Sequence, residues 1–93
     1  MKTIWKFPLQ SADQQTIKMP AGAELLSVQV QQETVCLWAK VDPEASREPR
    51  VIAIFGTGHE LPEDESTFRL DFIGTFQLHD GRLIFHAFEV VRT

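Results

Sequence analysis

Few side chains in this 93-residue sequence have the types and spacing to do chemistry. The densest group is Gly56-Thr57-Gly58-His59, where an apolar β-branched run (Val51, Ile52, Ile54) stops at two glycines and an acidic stretch follows. A hydroxyl and an imidazole on a tight turn, beside exposed backbone N–H groups, suit contact with a ligand or partner. The same residues also read as a plain strand-ending turn that uses glycine for positive φ. Two fingerprints fail here. A dinucleotide site needs a third glycine, a helix after it and an acidic residue about twenty positions on. A P-loop needs Gly-Lys followed by Ser or Thr, and prolines and carboxylates stand there instead. Glu60, Glu63, Asp64 and Glu65 also oppose an anion.

Trp5 and Trp38 are the other candidates. Each is either a core side chain or, beside Lys6 or Lys40, a stacking platform or interface anchor. The binding candidates are therefore Thr57, Gly58, His59, Trp38 and Trp5. No metal site is expected. His79 and His86 can share a hairpin face, but at strand rise they stand roughly 13 Å apart, and zinc needs its ligands within roughly 2.1 Å of one ion. Cys36 lies mid-strand beside Leu37 and Trp38 and reads as a small packed hydrophobe. Ser27 and Ser66 have no nucleophile-elbow context. No catalytic constellation and no cofactor motif is visible, so the expectation is a protein that is not an enzyme.

The elements that must position these residues are strands, because the hydrophobic period is close to two. The pattern predicts strands at about 2–7, 15–19, 24–31, 34–42, 50–56, 69–79 and 82–91, with ends uncertain by two to four residues. Met19 to Gly22 predicts a β-turn with Pro20 at its second position. Asp42 to Pro49, with two prolines, reads as a loop, and Glu60 to Thr67 as a second, exposed one. Asp80-Gly81 is a preferred type I′ pair. It predicts a C-terminal hairpin with His79 opposite Arg82, Leu78 opposite Leu83, Phe76 opposite Phe85 and Gly74 opposite Ala87. One face of that hairpin then carries Leu70, Phe72, Phe76, Leu78, Leu83 and Phe85 as core. Gly74 leaves a gap there for a Trp or Phe from the opposing layer. The other face carries Ile73, Ile84, Phe88 and Val90, too apolar to face water, so a second layer or another subunit covers it. The fold expected is all-β: one domain over 1–93, a small sandwich or partly open barrel of about six or seven mostly antiparallel strands.

Composition agrees. The chain is 43% hydrophobic with seven Phe, enough for a core, and its net charge of −4 disfavours non-specific nucleic-acid binding. One cysteine permits no internal disulfide, and no apolar run approaches the length of a membrane helix or a signal peptide. These features suit a cytoplasmic protein.

Several fragments together resemble one family. "KTIWKFPL" at the N-terminus, "LSVQVQ" from Leu26, "CLWA" from Cys36, "VDP" from Val41, "GTGH" from Gly56 and "FIGTFQ" from Phe72 occur in this order. The resemblance, over nearly the whole chain, is to small proteins encoded in tailed phages and bacterial prophages, a family of unknown function. It supplies no site residues. It implies a phage accessory protein acting in the host cytoplasm. With the semi-apolar hairpin face, where a homo-oligomer contact is expected, and the missing catalytic constellation, the expectation is an oligomer that captures a host component in counter-defence: a defence protein, or a signalling nucleotide it sequesters. The alternative it implies is a structural or assembly accessory of a phage particle.

Overall fold

The period-two segments all form strands in the computed structural model, which describes residues 1–63 and 66–93. The strands are β1 (Thr3–Pro8), β2 (Gln14–Pro20), β3 (Glu24–Gln31), β4 (Thr34–Val41), β5 (Arg47–Gly56), β6 (Phe68–Leu78) and β7 (Leu83–Arg92). They make two antiparallel sheets, ordered β1-β4-β3 and β2-β5-β7-β6. The sheets stay open at their edges, so the fold is a seven-stranded sandwich and not a closed barrel. Alternate residues of facing strands point between the sheets. The central core is Met19, Ala23, Leu37, Ala39, Val41 and Ile52, with Trp5, Phe7, Ile17, Leu25 and Ile73 packed on it. A second cluster of Val28, Phe76 and Ala87 adjoins it, with Phe85 and Leu78 alongside.

The C-terminal hairpin has the register that Asp80-Gly81 predicts. Leu78 faces Leu83, Phe76 faces Phe85 and Gly74 faces Ala87. Asp80 (φ 55°) and Gly81 (φ 84°) take the positive φ a type I′ turn requires, and the Arg82 N–H donates to the His79 carbonyl. His79 (φ 53°) also turns left-handed, so the ladder ends at Leu78 and Leu83 and the expected His79–Arg82 strand pair is not formed.

Four further local expectations are corrected. A β-bulge between Phe72 and Gly74 inserts Ile73 into β6. Ile73 turns into the core, while Leu70 and Phe72 move to the outer face opposite Val90 and Phe88. The gap above Gly74 is filled by Val28 of β3, not by an aromatic ring: a Cβ on Gly74 would stand 2.9 Å from the Val28 Cγ1. The first turn lies one residue later than predicted. The Ala23 N–H donates to the Pro20 carbonyl, which puts Gly22 (φ 78°) at the third position, where a type II turn needs positive φ. β5 begins at Arg47, not 50. Its Pro49 is accommodated because that residue pairs with Lys18 of β2 but lies beyond the β7 ladder, which starts at Val51.

β5 and β6 run parallel with β7 between them, and the described part of the connection after Gly56 reaches the outer face of the larger sheet. Leu61 and Pro62 lie there against Phe68, Leu70 and Phe88. Glu60, Glu63, Ser66 and Thr67 are exposed, whereas Asp64 and Glu65, expected in the same loop, fall outside the described residues.

Candidate functional site

The sandwich does not close at the end where β1 passes into β2. Between the sheets a cavity of about 410 Å³ opens there, within the size range of small-ligand pockets. Leu9, Val35, Ile54, Phe76, Leu78 and Phe85 make its apolar floor. The Phe76 and Phe85 rings stack with centroids 5.8 Å apart. Gln10, Ser11, Asp13, Glu33 and Thr34 form the rim.

The mouth is held in place from both sheets. The Leu9 N–H donates to the Val35 carbonyl on β4 at 2.8 Å, and the Ile54 N–H on β5 donates to the Asp13 carbonyl at 2.8 Å. Between those anchors, the Gln15 side chain accepts from the Gln10 N–H and donates to the Gln10 carbonyl, each at 3.0 Å. On the opposite lip, the β3–β4 hairpin turns through Gln32 (φ 49°) and Glu33 (φ 67°). Two non-glycine residues with positive φ are strained, and asparagine-glycine would relieve them. That strained turn places Glu33 at the pocket mouth.

None of the sequence-predicted site residues lines this cavity. Gly58 (φ 88°) serves the backbone: a Cβ there meets nothing within 4 Å, so alanine would be opposed by φ alone. Gly56 instead gives room to His59, whose exposed ring would lie 3.0 Å from an added Cβ. Thr57 is committed. Its Oγ1 lies 2.7 Å from the His86 Nε2 and 3.3 Å from the Ile84 carbonyl, and the Thr75 Oγ1 lies 2.9 Å from the His86 Nδ1. One tautomer satisfies every contact: His86 Nε2–H donates to Thr57, Thr57 donates to the Ile84 carbonyl, and Thr75 donates to Nδ1.

Trp5 and Trp38 both belong to the smaller sheet but lie on opposite faces. Trp5 is half-buried against the central core, with the Arg47 guanidinium 5.2 Å from its ring centroid. Trp38 is half-buried on the outer face with the Lys6 Nζ at 5.8 Å. Cys36 is buried, its thiol 3.6 Å from the Thr34 carbonyl. Among the described residues no three His, Cys, Asp or Glu converge to hold a metal ion, and no helix is long and apolar enough to cross a membrane.

A charged pair sits inside the sandwich that no motif announced. Arg50 and Glu89 face inward on β5 and β7, with Glu89 only 9% exposed and opposite Ile52. The Arg50 Nε donates to one Glu89 oxygen and its second nitrogen to the other, at 3.0 Å, while a third N–H reaches the Ala23 carbonyl at 3.0 Å. The hydrogen bond to Glu89 raises the Arg50 pKa against the opposing effect of burial, and the charges of Glu89 and Glu48 add to it. A raised arginine contributes its stabilisation at every pH below its ordinary range and loses it only in strong alkali. The pair is a charged link between β5 and β7 of the larger sheet, on the face turned toward the smaller one. The signal for it was parity, since Arg50 and Glu89 occupy inward positions in otherwise apolar strands.

Two open antiparallel sheets with a cavity between them at one end define a small β-sandwich domain. The chain belongs to the family described as a domain of unknown function, DUF7352, whose family model matches residues 1–93. Comparison with curated proteins and with solved structures gives no match.

Proposed function

We propose that the chain is a non-enzymatic binding module that receives part of its target in the end pocket between the sheets. The observation that carries this reading is the pocket's construction: an apolar floor of six side chains under a polar mouth that backbone hydrogen bonds hold open. A preformed site loses little conformational entropy on binding. With the resemblance to small phage and prophage proteins, the role is capture of a host component in counter-defence. Asp13 and Glu33 at the mouth repel phosphates, which favours a host protein over a signalling nucleotide as the target.

The neutral dye Nile red tests the pocket. Wild-type protein is expected to bind one dye per chain with enhanced fluorescence. Val35→Trp, which fills the cavity, is expected to cut that affinity at least tenfold while circular dichroism stays that of the folded sandwich. Equal binding by both proteins would place the dye elsewhere and end this reading.

A second reading, assembly through self-association, rests on a different surface. On the outer face of the larger sheet Phe72 is 62% exposed and Ile84 38% exposed, with Phe72 packed edge-on against Phe88 and Phe88 against Phe55. The central rows of that face (Val51, Leu70 and Val90, then Ala53, Phe72 and Phe88) carry no charge, so the face is complementary to itself in a second copy. Light scattering is expected to give a dimer or larger assembly for the wild type and a monomer of unchanged melting temperature for Phe72→Glu. A wild-type monomer at high protein concentration would exclude the contact.

A further inference from the structure

We infer that the group taken by the end pocket is an apolar cation: an aryl or alkyl chain that carries a positive charge at the end nearest the mouth. The inference rests on the pocket reading and adds the charge of its occupant. The floor selects the chain. Phe76, Phe85, Leu78, Ile54, Val35 and Leu9 offer no side-chain hydrogen-bonding group, so whatever lies deepest is apolar, and the stacked Phe76 and Phe85 rings favour an aromatic or a flat aliphatic group.

The rim selects the charge. Asp13 and Glu33 stand on opposite lips, one on the β1–β2 connection and the other on the β3–β4 turn. No lysine, arginine or histidine lines the cavity, and neither carboxylate has an ion-pair partner among the described residues. A cation at the mouth would therefore meet two free carboxylates at the edge of a low-dielectric cavity, where charge pairing is stronger than in open water. An anion would meet the repulsion of both carboxylates. Gln10, Ser11 and Thr34 add hydrogen-bond acceptors, which an ammonium with its three donors can use.

The same chemistry could arrive as a free amine or as an aromatic side chain beside a basic one on a protein, and both are represented in the test. Isothermal titration calorimetry compares phenylbutylammonium, phenylbutanol and phenylbutanoate, which share one tail and differ in head charge, with an acetylated Phe-Lys amide as the peptide form. The ammonium is expected to bind at least tenfold more tightly than the alcohol, and the carboxylate most weakly. Asp13→Asn and Glu33→Gln are each expected to weaken the ammonium several-fold and leave the alcohol unchanged, and added salt is expected to weaken the ammonium alone. Tighter binding of the peptide than of the free amine assigns the group to a protein target; the reverse assigns it to a small molecule. Equal affinity for ammonium and alcohol, or tightest binding of the carboxylate, would overturn the charge inference while leaving the pocket intact. Failure of all four ligands together with failure of Nile red would instead remove the pocket itself.

Discussion

Glu89→Ala is expected to lower the stability of the fold by roughly 3 kcal/mol or more, the usual cost of stranding one member of a buried ion pair. The reason lies in what remains. Arg50 stays charged between the sheets with only the half-exposed Glu48, 4.0 Å away, as an ion-pair partner, and of its three hydrogen bonds within the sandwich only the one to the Ala23 carbonyl survives. Urea denaturation followed by tryptophan fluorescence reads the loss as a lower midpoint. Arg50→Met/Glu89→Leu is expected to recover much of it, because apolar groups of similar volume avoid the unpaired charge. Recovery should stay incomplete, since the Ala23 carbonyl then loses its donor. A single Glu89→Ala variant within about 0.5 kcal/mol of wild type, the range of ordinary surface changes, would show the pair to be solvated.

The second large effect is expected at Gly74. A methyl group there would lie 2.9 Å from the Val28 Cγ1, in a buried cluster with Phe76 and Ala87, so Gly74→Ala should cost about 1–3 kcal/mol through overpacking. Val28→Ala alone should cost about 2 kcal/mol by leaving a cavity. Combined, the two changes exchange volume across the same contact. The double variant is therefore expected to be more stable than the sum of the single losses by about 1 kcal/mol or more. Strict additivity in thermal or urea unfolding would show that β3 and β6 do not meet at this point.

Much of the architecture was legible in the residues themselves. Alternation located all seven strands, and Asp80-Gly81 set the register of the last hairpin, because both signals act between residues close in the chain. The bulge at Ile73 was not legible. An extra residue leaves the apolar pattern plausible on either face, and only packing on Val28 and the central core decides which face it takes. The pairings of β1 with β4 and β2 with β5 join segments tens of residues apart, for which no local pattern speaks. The candidate site was hidden for the same reason. Its floor draws on β4, β5, β6, β7 and the residue after β1, while the conspicuous Gly56–His59 group lies outside that cavity, in a turn with a threonine–histidine contact. Strain at Gln32 and Glu33 could not be seen either, since neither residue type advertises positive φ.

The strand order of the larger sheet also bears on how the chain is made. β7, residues 83–92, lies between β5 and β6, so the ribosome delivers the central strand of that sheet last. Until it emerges, β5 can pair only with β2, β6 has no partner in its own sheet, and Arg50 lacks the carboxylate of Glu89. Domains generally fold as units, and here the larger sheet lacks its central strand until β7 is made. The larger sheet is thus completed only once β7 has been made, and a chain cut short before Leu83 leaves the edges of β5 and β6 open to pairing with other chains.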